Sequence, residues 1–420
     1  MAWSGALRRR GAVALAVAAA TAAVAALGVE SRAEAATPAA GPGSCTQRVL
    51  VLSAFPAELD ALLVHASVNA ADTVVVDGRS FYVGTLGGNK VIMALTGIGP
   101  VNAKHTSQLA VDHFRCGSAS EISAVVFSGV AGGRTNIGDV TVPARWTQDD
   151  GKTWLHVDPE MMAVARQVAG SGTVKLEQDA PVGDPSCDCQ AAATIAPVHM
   201  PNAPKFVLGG DGVTTDPVAG RAVPCVPSGG DIFGCEPCRA PSHATPDAPR
   251  LVQSVVPFVD PNFFISEFEA PPATTTNVDA SDEETATVAS VVEKAGLPFL
   301  GVRAISDGHG DPLMLPGFPF QFFYYRQISA DNAGAMTYRF LQVWATHRAA
   351  LTAAGGATTS SSTATAPATR ATAGVAAAVT TLPDTAAGSA GAVPPVAVPA
   401  VLILCAGWAR RRTWSARASR

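Results

Sequence analysis

The sequence predicts an α/β protein, a mostly parallel central sheet flanked by helices that carries a cysteine-containing irregular insertion. Three observations predict it. Short apolar, β-branched runs at 47–54, 90–95, 122–127 and 299–305 suit strands buried on both faces. Stretches with helical spacing at 56–66, 101–114 and 285–295 lie between or beside them. A region rich in Pro, Gly and Asp, 180–275, breaks this rhythm and holds Cys187, Cys189, Cys225, Cys235 and Cys238.

The first run, QRVLVLSA, reads as a buried parallel strand. Pro56 then opens a helix with Leu59, Leu62 and Leu63 on one face. Residues 73–76 and 80–86 read as a hairpin about Asp77-Gly78. KVIMAL is the next strand; it ends in Thr96-Gly97-Ile98-Gly99 and a helix follows. ISAVVF is another strand, ending in the glycine motif SGVAGG, 128–133. Far downstream, helix 285–295 leads to the strand FLGVRAI. In such sheets ligand chemistry gathers at the carboxyl ends of the strands. Those ends carry Ala54-Phe55, Gly97, Gly129 and Ser306-Asp307.

At 420 residues, 48% of them hydrophobic, the chain has material for a large core. A net charge of -5 excludes a basic, nucleic-acid-coating protein. The two ends read as addresses. Arg8-Arg9-Arg10, an apolar run over 12–29 and Ala33-Glu34-Ala35 form the basic, apolar and small-residue segments of a secretory signal peptide, 1–35; an uncleaved anchor is the alternative. Residues 351–381 are an Ala/Thr/Ser stalk whose composition predicts disorder. Over 382–420, Leu382-Pro383-Asp384-Thr385-Ala386 precedes an apolar segment, 391–409, and Arg410-Arg411-Arg412. This resembles a sortase sorting signal, with Ala386 in place of the usual glycine; a plain tail anchor is the alternative. Both place the chain outside the cell, on cell wall or membrane. The stretch between, 36–350, is expected to be one domain with its insertion at about 180–275.

Of eight cysteines, Cys405 falls in the apolar tail. An exported chain favours disulfides over zinc, although Cys187-x-Cys189 and Cys235-x-x-Cys238 have the look of thiolate pairs. Cys45 and Cys116 each precede a core strand. If those strands are parallel neighbours, a Cys45–Cys116 bridge is within reach.

Taken singly, the acids are ordinary. Glu58 suits the first turn of a helix, and the run Asp282-Glu283-Glu284 reads most simply as a solvated helix start. Asp307, past an apolar strand and beside Gly308, stands in a site position. Together, VLVLSAFPAELDALL, TGIGPVNA, SGVAGG with IGDVTVP, and LPFLGVRAISDG occur in order over about 48–145 and 276–347. This pattern resembles the nucleoside phosphorylase and methylthioadenosine/S-adenosylhomocysteine nucleosidase superfamily. The resemblance implies a nucleoside phosphorylase-like domain, a small-molecule nucleoside substrate, no cofactor and a homodimer. It makes Asp307 the acid that protonates a purine N7, Glu58 the base that activates water, and Glu284 the ribose-binding carboxylate. Arg303 would orient those carboxylates, and Phe55, Gly97, Gly129, Val130 and Ser306 would line the substrate site. A base–acid pair beside surplus negative charge suits an oxocarbenium-like transition state. Asp307 should then have a raised pKa and Glu58 should stay ionised.

Glu283 stands where the family commonly has methionine, and Val130 replaces a small polar residue. Phe263, Phe264 and Phe268 of the insertion are candidates for an aromatic wall. Arg134 is the one nearby candidate to hold phosphate, and Glu58 would repel that anion, so hydrolysis is favoured over phosphorolysis. A non-catalytic nucleoside-binding or storage protein of the surface is the third reading. No metal ligand set, phosphate loop or redox-cofactor motif is expected.

Overall fold

The structure is a computed structural model of the chain, and it describes residues 45–180, 198–227, 230–239, 278–315 and 317–358. The two end signals, Cys187, Cys189 and the aromatic candidates Phe263, Phe264 and Phe268 lie outside the described residues.

In chain order the elements that position the site begin with β1 (Arg48–Ser53), α1 (Pro56–Leu63), β2 (Val74–Val76), β3 (Arg79–Leu86), β4 (Asn89–Leu95) and α2 (Pro100–His113). Next come β5 (Ile122–Asn136), β6 (Val140–Val142), β7 (Arg145–Thr147), α3 (Pro159–Gly170), β8 (Phe206–Leu208) and β9 (Asp211–Thr214). Then follow β10 (Ala280–Asp282), α4 (Thr285–Lys294), β11 (Phe299–His309) and α5 (Phe320–Thr358).

β1 lies between β4 and β5 and is parallel to both. β5 is parallel to β11. These four strands are the apolar runs of the sequence. Their side chains, among them Leu50, Leu52, Ile92, Phe127 and Val302, are buried. Helices cover the sheet: α5 packs on β11, β5 and α1, and α2 packs on α4. Each fully buried large aliphatic or aromatic side chain contributes about 1.5–3 kcal/mol by leaving water. The edge is antiparallel, with β3 paired to β4 and β2 to β3. The β2–β3 turn is formed by Asp77 and Gly78, both with positive φ, as a two-residue hairpin of this hand requires.

The sheet is mixed and mostly parallel at its core, as expected, and four expectations are corrected. β5 does not end at the glycine motif. It runs on through Gly129, Gly132 and Gly133, because its partner β11 continues beside it past Ile305. For the same reason Asp307 lies inside a strand and not beyond one. The presumed insertion also starts later: β9 sits in the main sheet between β7 and β10, and β8 pairs with β6. Two very short strands flanking Gly209-Gly210 leave no apolar run for the sequence to show. Finally, α5 continues through Thr358, into the first residues of the stretch read as stalk.

The disulfide Cys45–Cys116 is formed, with Cα atoms 5.8 Å apart, at the adjacent amino ends of the parallel pair β1 and β5. A second disulfide joins Cys225 to Cys235, so neither of these thiols is a metal ligand. Among the described residues no helix is long and apolar enough to cross a membrane.

Candidate active site

Glu58 is 1% exposed in the first turn of α1, and its carboxylate is bound on both oxygens. Oε2 accepts from the Ala54 and Phe55 backbone N–H groups at 2.6 and 3.4 Å. Oε1 accepts from Val130 N–H at 2.7 Å and from Arg303 Nη1 at 3.4 Å. The helix start thus turns its free amides onto this side chain. The approach of β5 needs a glycine: a Cβ on Gly129 would overlap Glu58 Oε1 and Arg303 Nη1.

Asp282 and Glu284 are 2% and 3% exposed, which corrects their reading as a solvated helix start. Asp282 caps α4. Its Oδ1 accepts from Glu284 N–H and Thr285 N–H at 3.3 and 3.2 Å, and from Thr214 Oγ1 at 2.6 Å. Glu284, at the helix start by position, makes no cap bond of its own. Its Oε1 instead accepts from Gly99 N–H at 2.7 Å.

Arg303 joins these groups. It is fully buried on β11, with Nε 2.9 Å from Asp282 Oδ2 and from Thr285 Oγ1, and Nη2 3.4 Å from Glu284 Oε2. Nη1 also donates to the Val130 carbonyl at 3.1 Å, and the guanidinium stacks 4.2 Å from the Phe127 ring. Burial opposes its charge, but Asp282, Glu58 and Glu284 outweigh that and raise its pKa. One guanidinium facing three carboxylates leaves surplus negative charge in a dry place.

The carboxyls respond accordingly. Burial pushes Glu58 up to about 7, against Arg303 and its three backbone donors. Glu284 is pushed up to about 8, by burial first and against the pull of Arg303. Glu58 is therefore less firmly ionised than the sequence suggested, although every partner it has is a donor and suits the carboxylate. Glu283 is raised well above its ordinary value by burial and by Glu284, Asp282 and Asp307.

Asp307 lies further along β11 from Arg303, opposite Gly132, where a shift of register follows Ile305. Ser306 Oγ donates to its Oδ2 at 2.7 Å. Its Oδ1 is buried and has no hydrogen-bond partner among the described residues. Burial pushes it up to about 6, opposed by the Ser306 hydroxyl and the Phe322 backbone N–H. A buried carboxyl with one idle oxygen is a proton donor awaiting an acceptor.

The structure thus brings Glu58, Glu284, Arg303, Gly129 and Val130 into contact, with Ser306 and Asp307 further along the same strand. Gly97, with φ +82, belongs to the turn that presents Gly99 to Glu284. Phe55 is buried at the head of α1, edge-on to Phe322 with centroids 5.5 Å apart. Arg134 is committed elsewhere, 2.7 Å from Asp279. Sequence reasoning missed Asp282 and Thr285 as partners of Arg303. The only signal was an Asp three residues before a Thr at a helix start, which is a capping pattern rather than a site pattern.

An α/β sheet with buried carboxylates gathered at a strand's carboxyl end defines a class, and residues 48–194 match the description of the phosphorylase superfamily. It is 47% identical over 195 residues to the uncharacterized protein Rv2293c of Mycobacterium tuberculosis, covering 46% of this chain and 78% of that protein. It is 60% identical over 67 residues to the uncharacterized protein Rv2292c of the same organism, covering 16% of this chain and 90% of that protein. A 5'-methylthioadenosine/S-adenosylhomocysteine nucleosidase of Listeria monocytogenes is 29% identical over 103 residues; the match covers 24% of this chain and 41% of the nucleosidase. Among solved structures, the futalosine hydrolase of Helicobacter pylori is similar with a TM-score of 0.43 and 18% identity, covering 70% of this chain and 97% of that one.

Proposed function

We propose that the chain is an exported, surface-held N-glycosidase that hydrolyses a purine nucleoside of the methylthioadenosine or S-adenosylhomocysteine kind. The observation that carries this reading is the buried guanidinium of Arg303 set among Glu58, Asp282 and Glu284. Surplus negative charge of this kind stabilises a ribosyl cation more than a neutral nucleoside, and it repels an incoming phosphate. Arg134, the one nearby candidate to hold phosphate, is paired with Asp279.

In the reaction, the bond between C1′ and the purine nitrogen breaks as the Asp307 carboxyl gives its proton to N7. The electron pair of that bond leaves with the base. Glu284 binds the ribose hydroxyls and, with Asp282, balances the charge that develops at C1′. Water adds to C1′ and its proton passes to Glu58. Arg303 touches no reacting atom; it holds the carboxylates in place. Base and free sugar are released and no co-reactant besides water is consumed.

The nucleosidase name of the Listeria relative supports the purine nucleoside. The disulfides Cys45–Cys116 and Cys225–Cys235 support an oxidising compartment, in agreement with the basic-apolar start of the chain. Incubating the protein with methylthioadenosine, adenosine and inosine tests the activity: at least one should release free base, and the Asp307→Asn variant should not. Fractionation tests the address. Full-length chain in the cytoplasm with residues 1–35 intact would contradict it.

A further inference from the structure

TGIGPVNA carries one side chain for which the reaction has found no use. Asn102 lies in the first turn of α2 and is 5% exposed. Its Nδ2 donates to the Ile98 carbonyl at 2.8 Å and to the Val223 carbonyl at 2.6 Å. Its Oδ1 accepts from Arg79 Nη2 at 2.8 Å. Three of the four hydrogen bonds an amide side chain can make are thus in place, in three directions. One fixes the turn, one comes from β3, and one reaches the segment leading to the Cys225–Cys235 disulfide.

We infer that Asn102 is a positioning residue for Glu284, acting through the Gly97–Gly99 turn, which it clamps to β3 and to the Val223 segment. This rests on the nucleosidase reading for its kinetic consequence, though not for its structural one. The turn is built of residues with little conformational resistance: Gly97 and Gly99 both have φ near +90°, the region where glycine alone is at ease. A turn so permissive holds one shape only if neighbours fix it. Asn102 fixes the Ile98 carbonyl, in the peptide unit whose N–H belongs to Gly99. Val218 and Val223 lie 4.0 and 3.7 Å from where a Gly99 Cβ would stand, and so pack over the turn. The Gly99 N–H is the shortest contact of Glu284; Arg303 lies 3.4 Å away on the other oxygen.

The sign of the effect follows. A backbone donor favours the carboxylate, so the Gly99 bond holds Glu284 lower than burial alone would leave it. Arg303 from β11, Glu58 from α1, and Asp282 and Glu283 from its own segment also face Glu284. Asn102 carries no charge, so its removal acts on Glu284 by geometry and not by a new Coulomb interaction.

The test uses the full chain with its disulfides formed, labelled with 13C at the glutamate carboxyls, as wild type, Asn102→Ala and Arg79→Lys. Glu284→Gln assigns the resonance. In Asn102→Ala the Glu284 titration midpoint should move to higher pH. The rising limb of kcat/KM should move with it, and kcat should fall about 10- to 100-fold, as for a reacting group displaced by a fraction of an ångström. Arg79→Lys keeps the charge but loses the forked donor, so it should show a smaller shift of the same sign. A Glu284 midpoint unchanged from wild type in Asn102→Ala overturns the inference, as does a rate loss equal at every pH. If Asn102→Ala does not fold, Arg79→Lys decides by the same criterion. If wild type cleaves no nucleoside, the hydrolase reading fails while the titration still decides the role of Asn102.

Discussion

Arg303 Nη1 and Glu58 Oε1 lie 3.4 Å apart with neither side chain open to water, although their α-carbons are separated by most of the domain's sequence. The contact joins the first helix of the fold to its last core strand. It exists because β1, β5 and β11 lie in order, so that the carboxyl ends of the outer two converge across Gly129 and Val130.

This pairing makes Arg303 costly to lose. Arg303→Met should leave Glu58, Asp282 and Glu284 buried with no cation among them. Breaking a buried ion pair from one side costs about 3–5 kcal/mol, and urea denaturation should show a loss of that order. Arg303→Lys should recover only part of it, since one ammonium cannot replace a guanidinium that spans Asp282, Glu58 and Glu284.

Turnover should depend on both ends of the site. Asp307→Asn removes the proton for N7 and should lower kcat by at least about 10²–10⁴-fold. Glu58→Gln should lower kcat comparably while the nucleoside dissociation constant, measured calorimetrically, changes little. Equal loss of binding and turnover in Glu58→Gln would assign Glu58 to the sugar instead of the water.

The pH profile of kcat/KM should be a narrow bell. Asp307 must be protonated and falls away above about 6, while Glu58 and Glu284 must be ionised and rise through about 7 and about 8. The optimum should lie between those values, and the two limbs belong to the coupled set of carboxyls. Asp307→Asn should abolish the alkaline limb in whatever activity remains.

Stability should move with pH in a defined direction. Glu58, Glu284 and Asp307 all have folded pKa values above their unfolded ones. Their contribution is fully present below the unfolded values, near 4, and is lost as pH rises through about 6 to 8. Glu284→Gln should therefore raise the melting temperature at pH 8 more than at pH 5. Parallel melting curves for the variant and wild type would refute this.

Gly129→Ala should resemble Glu58→Gln in activity, because the added methyl takes the place of the carboxylate oxygen. Gly170→Ala, at a helical position with open space around it, should leave turnover unchanged and serves as the control.

Much of this was legible in the chain. The four parallel core strands show as apolar runs because both faces of each are covered. Cys45 and Cys116 show because they mark the amino ends of neighbouring strands. Glu58 and Asp307 sit near strand ends, where a reader looks for chemistry, and Arg303 stands in the quoted LPFLGVRAISDG. Asp282 was hidden because a carboxylate before a helix is usually a cap; here it is a cap and also the partner of Arg303. The extension of β5 was hidden because SGVAGG has the composition of a turn, and only the pairing with β11 makes it a strand. β8 and β9 are each too short to show a period. Asn102 stood in a quoted motif, but its three partners come from three separate segments, and no local pattern joins them.

Whether water accepts the ribosyl group is decided by cleavage of methylthioadenosine in 18O-water, with and without phosphate, and mass analysis of the sugar. Hydrolysis should give free adenine, one 18O at C1 of the methylthioribose, and a rate that phosphate does not raise. A sugar 1-phosphate formed only when phosphate is present would contradict it, as would intact nucleoside under both conditions.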